Sequence, residues 1–296
     1  MRKWCLFLTL YFCACLLAAC AGGVPAGEGA DPGGAPSEEP QAGGEAAQPG
    51  LVTETFRLVD AGDGGRSAVL AKMDGRAGDV FTLDLFGVED LTIEGRTQEE
   101  TALLDWAPAA GALVEVTWNG AVLESYPAQF GEVTAVRILE GGFDDLCRLY
   151  RDVLNDLWET DPGLNDGITE LGVDLSETSL PESEQAAVAY AFGMDHGLMP
   201  IEGSYQELVD QGCIDGENLF WEDGCLFSIR ETQDEEPVVF SLPDFGPGEE
   251  MPDYRGVRFD AEKWRSGTGA YFFADCTAAG VDGHWSSYTV GAEAIS

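Results

Sequence analysis

The chain holds only two histidines, His196 and His284, and they lie far apart in sequence. A serine or cysteine nucleophile needs a neighbouring base to be activated, and no G-x-S-x-G stretch signals a strained hydrolase elbow. His196 sits in Met194-Asp195-His196-Gly197, where a helix is expected to end and an imidazole interacts favourably with the last carbonyls. His284 follows the Asp282-Gly283 turn and reads as a solvent-facing strand residue. Neither supports a histidine zinc site, and no catalytic residue is assigned.

Carboxylates are the abundant functional group, with 54 Asp and Glu against 15 Lys and Arg and a formal net charge of −39. A glycosidase needs two of them about 5–9 Å apart, and Glu222, Asp223, Glu231 and Asp275 lie in expected sheet regions. So acidic a chain supplies such pairs by chance, however. Calcium takes several oxygens from acid-rich turns, which makes Asp60, Asp63 and Asp166 its weak candidates. Their loops, Asp60-Ala-Gly-Asp63-Gly-Gly65 and Leu164-Asn165-Asp166-Gly167, miss the EF-hand pattern, and ordinary Asp-Gly turn chemistry explains them equally well. No other cofactor is expected.

Lys263-Trp264-Arg265 stands out because two cations flank an indole in a cation-poor chain. One reading sets Trp264 and Arg265, with Lys263, against an anionic or sugar ligand, the ring stacking while the guanidinium donates hydrogen bonds. The other makes Trp264 a core residue of an edge strand and pairs both cations with surrounding acids. Gly267-x-Gly269 lacks the spacing and following helix of a phosphate loop. Cys147, Cys213, Cys225 and Cys276 could form two disulfides in any of three pairings, or remain free thiols. None of the four is spaced C-x-x-C, so zinc-ribbon and thioredoxin chemistry gain no support.

The segment that would set the protein's address is N-terminal. Arg2-Lys3 precedes a short apolar run from Trp4 to Ala19, against roughly twenty residues for a membrane-crossing helix. The run closes on Leu17-Ala18-Ala19-Cys20. This combination resembles the lipobox of bacterial lipoproteins. The resemblance implies that residues 1–19 are a signal peptide, that Cys20 is lipidated, and that the protein is anchored to the outer face of the cytoplasmic membrane. Two acyl chains suffice for stable attachment, so the membrane is expected as a partner through the anchor only. Residues 20–50 are rich in Gly, Ala, Pro and acids, cannot bury a core, and read as a disordered tether. The acidic surface repels nucleic acid and other phosphate polymers at contact.

Two further units are expected. Residues 51–140 read as a small β-domain, with short β-branched and apolar runs at Thr53–Val59, Ser67–Met73, Val80–Leu85, Leu113–Trp118, Ala121–Ser125 and Val133–Leu139. Asn119-Gly120 predicts a type I′ hairpin joining the fourth run to the fifth, and an OB-like barrel is among the closed arrangements such strands allow. Residues 141–296 read as an α+β domain of helices packed on an antiparallel sheet. Apolar spacing predicts a helix over Asp144–Trp158. Capping boxes at Ser179/Glu182 and Ser204/Glu207 predict two more. Hairpins are expected about Asp223-Gly224 and about Asp282-Gly283.

Val114-Glu-Val-Thr-Trp-Asn-Gly120 followed by Glu124-Ser-Tyr-Pro-Ala-Gln129 resembles small β-domains of unknown function in lipoproteins of Gram-positive bacteria. The stretch Phe259 to Tyr271, with His284-Trp285 and Ile295-Ser296, is similar to the last domain of uncharacterised secreted bacterial proteins. Both resemblances imply a fold and carry no activity. The resulting expectation is a noncatalytic envelope lipoprotein that binds or scaffolds a protein, peptide or glycan. The alternative is a carboxylate-dependent hydrolase of wall glycan or peptide.

Overall fold

The computed structural model describes residues 50–62, 67–102, 109–232, 238 and 251–296. Cys20, the segments around it and Asp63 lie outside these residues. Gln48–Ser296 forms one compact unit. It is mostly β, with two sheets, one of them a curled half-barrel, and this fits an α+β class. No helix among the described residues is long and apolar enough to cross a membrane.

The first sheet takes eight strands: β1 (Val52–Ala61), β2 (Ser67–Lys72), β3 (Val80–Asp84), β4 (Asp90–Ile93), β5 (Leu113–Trp118), β6 (Val122–Leu123), β7 (Ala128–Phe130) and β8 (Val133–Ile138). Their order is β4-β8-β5-β1-β2-β3-β7-β6. The end strands β4 and β6 do not pair with each other among the described residues, so the sheet curls without closing into a barrel. The short helix α1 (Gln98–Ala102) follows β4. Inside the curl, Phe56 meets Phe81 and Phe130 edge-on at 5.4 and 5.3 Å, and Trp118 joins Phe130 at 5.1 Å. Such pairs add about 0.5–1.5 kcal/mol beyond their buried area.

The expected Asn-Gly hairpin does not form. β5 pairs with β1 and β8, while β6 pairs with β7. Gly120 takes φ +78°, but Asn119 is not among the positive-φ residues as a type I′ turn requires. Its side chain instead accepts the Ala121 N–H at 3.0 Å, an Asx turn that sends the chain away from β5.

The second half contains α2 (Leu146–Glu159), β9 (Glu170–Glu177), α3 (Glu182–Asp195), β10 (Pro200–Glu202), α4 (Tyr205–Asp210), β11 (Gly224–Glu231), β12 (Tyr254–Ser266), β13 (Gly269–Val281), β14 (His284–Trp285) and β15 (Ala292–Ile295). The strands run β10-β9-β11-β12-β13-β14, with β15 also on β13. The sheet is mixed and not antiparallel throughout, because β9 runs parallel to both β10 and β11. The hairpin expected about Asp223-Gly224 is therefore absent. Gly224 opens β11, whose partners are β9 and β12. The Asp282-Gly283 hairpin is present, with φ +51° and +79° in a two-residue turn joining β13 to β14.

α2 buries Leu146, Leu149, Tyr150, Val153, Leu154 and Leu157, the i, i+3, i+4 stripe expected of an amphipathic helix. Ser179 does not cap α3. Pro181 holds the N-cap position, and the Ser179 N–H and hydroxyl both donate to Glu231 at 2.7 Å. The Ser204/Glu207 capping box at α4 is complete. One core joins α2 and α3 to β9, β11, β12 and β13, and also takes in Val59, Val69, Ala71 and Val80 of the first sheet. The helices thus occupy the layer between the sheets. At that junction the buried Arg57 of β1 meets Glu184 of α3 at 3.5 Å and donates to the carbonyls of Gly111 and Gly142.

Candidate functional site

Alternation along the second sheet separates two faces. Val257, Phe259 and Ala261 of β12 and Cys225, Phe227 and Ile229 of β11 point into the core beneath the helices. The intervening residues form the outer face. One rung of that face crosses five strands: Asp174 on β9 stands opposite Ser228 on β11, Ser228 opposite Glu262 on β12, Glu262 opposite Phe272 on β13, and Phe272 opposite Ala294 on β15. The next rung holds Gly172, Leu226 and Trp264. Arg230 and Asp260 pair in the rung on the other side.

Part of the outer face is covered. Leu208 of α4, Ile214, Trp221 and Leu226 form a small second core, with Tyr205 and Trp264 packed against it. Glycine lets an indole lie on backbone there, since a Cβ on Gly172 or Gly224 would come within 2.7 or 2.1 Å of the Trp221 ring. Trp221 Nε1 donates to Glu170 at 2.8 Å, so this indole is fully satisfied.

Beyond that cover the face is open among the described residues. A cavity of about 500 Å³ is lined by Tyr205, Trp264, Phe272, Glu262, Asp260 and Arg230, among others, a size usual for small-ligand sites. Tyr205 and Trp264 meet edge to face, with centroids 5.0 Å apart and planes at 90°. The Tyr205 hydroxyl is shielded from solvent and has no hydrogen-bond partner among the described residues. Arg230 lies 3.8 Å from Asp260 and 4.0 Å from Glu177. Asp174 accepts from the Ser176 N–H and hydroxyl at 3.0 and 2.6 Å. Partial burial lifts the Glu262 carboxyl above its ordinary range, while the nearby Arg230 guanidinium pulls it down less strongly.

Of the three cavity candidates in Lys263-Trp264-Arg265, only Trp264 lines this space. Lys263 is fully buried on the inner side. Its ammonium donates to the Thr160 carbonyl, to the Asp161 carbonyl at 3.1 Å and to Asn165 Oδ1 at 2.8 Å. It thereby ties β12 to the chain leaving α2, and burial holds it below the usual lysine range. Arg265 donates to the carbonyls of Leu164, Asp166 and Glu222 at 3.0–3.1 Å. Both cations donate to backbone carbonyls, and Lys263 also to the Asn165 amide oxygen, where pairing with surrounding acids was the structural expectation.

The remaining candidates are dispersed. Asp60 is paired with Arg151 at 2.5 Å, and Asp166 is exposed with its carbonyl held by Arg265. No cluster of three or more His, Cys, Asp or Glu suited to a metal ion occurs among the described residues. Glu231 is occupied by Tyr150 and Ser179. Glu222, Asp223, Glu231 and Asp275 do not line the outer-face cavity. His196 caps α3, stacks on Trp158 at 3.8 Å and meets Asn155 through Nε2 at 2.8 Å. His284 is exposed and stacked on Phe143 at 4.2 Å.

Among the described residues Cys147, Cys213, Cys225 and Cys276 form no disulfide with one another, the second of the two alternatives the sequence left open. Burial raises Cys147 well above the ordinary thiol range and pushes Cys225 and Cys276 up to about 12, which favours the protonated thiol. In comparisons with family models, curated proteins and solved structures, the chain matches none.

Proposed function

We propose that this protein is a noncatalytic binding lipoprotein of the bacterial envelope whose ligand docks on the outer face of the second sheet. The observation that carries the binding half is the open cavity of about 500 Å³ beside Tyr205, Trp264 and Phe272. Rings at the rim of a concave site supply contact area at low entropic cost. The anchoring half rests on Leu17-Ala18-Ala19-Cys20 behind the apolar run and places the protein on the outer face of the cytoplasmic membrane. The finer architecture belongs to the same reading: a tether over 20–50, a small β-domain over 51–140, and a C-terminal domain over 141–296 in which α2 and α3 cover one face of the sheet and part of the other is left for a partner.

The full chain expressed in a bacterial host tests both halves. Intact-mass analysis is expected to show cleavage before Cys20 with a diacylglyceryl adduct, and Cys20→Ser is expected to release the protein from membranes. Screening against peptides and wall glycan fragments by tryptophan fluorescence is expected to give a response that Trp264→Ala removes. A ligand response that survives Trp264→Ala places the site elsewhere.

A further inference from the structure

We infer that the cavity recognises a small organic cation, an ammonium head on an aliphatic stem of lysyl size, with Glu262 as its counter-ion between Trp264 and Phe272. This deepens the binding reading and rests on it. Glu262 stands directly across from Phe272 and two residues from Trp264 on one face of β12. The strand repeat sets its Cα about 7 Å from that of Trp264, and the strand spacing puts it about 5 Å from that of Phe272. The acid is therefore flanked by rings whose faces attract a cation.

The other acids of the cavity are engaged, and Glu262 is not. Arg230 lies against Asp260 and Glu177, and Asp174 accepts from Ser176. Glu262 has no hydrogen bond or ion pair at contact distance among the described residues. A partly buried carboxylate left without a partner costs stability, and an incoming ammonium removes that cost. Tyr205, whose shielded hydroxyl is also without a partner among the described residues, lines the same space. Charge complementarity fixes the sign. The lining carries Asp174, Glu177, Asp260 and Glu262 against Arg230, on a chain of net charge −39, which repels anions. The volume of about 500 Å³ exceeds what a bare ion fills and admits a head with an apolar stem.

The test compares two capped amino acids with the full chain, N-acetyl-lysine methylamide and its uncharged counterpart N-acetyl-norleucine methylamide. Both are titrated to millimolar concentration, with tryptophan fluorescence and backbone NMR shifts as readouts. The lysine probe is expected to bind about tenfold more tightly than norleucine, shifting Trp264 and Phe272. Glu262→Gln is expected to erase that preference without weakening norleucine. Because Glu262 makes no contact that holds the fold, this variant keeps the native spectrum. Equal binding of both probes at Trp264 overturns the cation and leaves the binding site standing. A lysine preference retained in Glu262→Gln, or shifts confined to other acidic surfaces, overturns the role of Glu262. Failure of both probes to perturb Trp264 and Phe272 overturns the site together with its ligand.

Discussion

The two faces of the second sheet receive polar groups in opposite ways. On the inner face the charged Lys263 is fully buried, and carbonyl oxygens and an amide oxygen receive its ammonium. On the outer face Glu262 and the Tyr205 hydroxyl have no such partners among the described residues. β12 supplies Lys263 to the first face and Glu262 to the second, one residue apart. Where a buried polar group is satisfied by backbone, its role is to hold elements together. Where it is left open beside a cavity, the fold bears a cost that a ligand can remove.

The strongest way to break this contrast is to open a buried ion pair on the inner side. Arg57→Met leaves Glu184 buried without its counter-ion, and a loss of about 3–5 kcal/mol is expected in urea denaturation. Changing both partners to apolar residues of similar volume is expected to restore most of it. Lys263→Met comes next, at about 2–3 kcal/mol, because the carbonyls beyond α2 lose their donor. Trp264→Ala on the outer face is expected to cost about 1–2 kcal/mol, less than a core tryptophan, since one side of the ring already faces open space.

The smallest effect is also the most diagnostic. Glu262→Gln is expected to change stability by within ~0.5 kcal/mol at neutral pH, and the change should depend on pH. With its carboxyl raised in the folded state, the native protein takes up a proton before the unfolded chain does. Its stability therefore rises relative to the variant as pH falls from the raised value to the ordinary carboxylate value, then levels off. Asp174, Glu177, Asp260 and Arg230 line the same cavity and are present in both proteins, so the difference between the two denaturation curves isolates Glu262. A difference that does not vary with pH would place Glu262 in ordinary solvent and remove the contrast between the faces.

Much of the local structure was legible in the sequence, because local signals produced it. β1, β2, β3, β5 and β8 follow apolar runs, α2 follows its stripe, and α4 follows Ser204 and Glu207. The failures share one cause, a distant partner outbidding a neighbour. Glu231 takes Ser179 away from the expected cap, and β8 takes the place beside β5 that Asn119-Gly120 reserved for β6. No local pattern marked β9, whose two neighbours run parallel to it and arrive from later in the chain. The candidate site was legible only at Trp264. Glu262, Phe272 and Tyr205 come together through the register of β12 with β13 and the docking of α4, and register is a property of pairs of strands that one segment does not encode.

β1 has a mechanical consequence. It begins at Val52, only two residues after the described body starts, and lies in the interior of its sheet with β5 on one side and β2 on the other. A tug delivered along its axis through residue 50 would strain many ladder bonds at once in shear instead of peeling them singly. Force entering at residue 50 would meet a strand laced on both sides before it reached any other element.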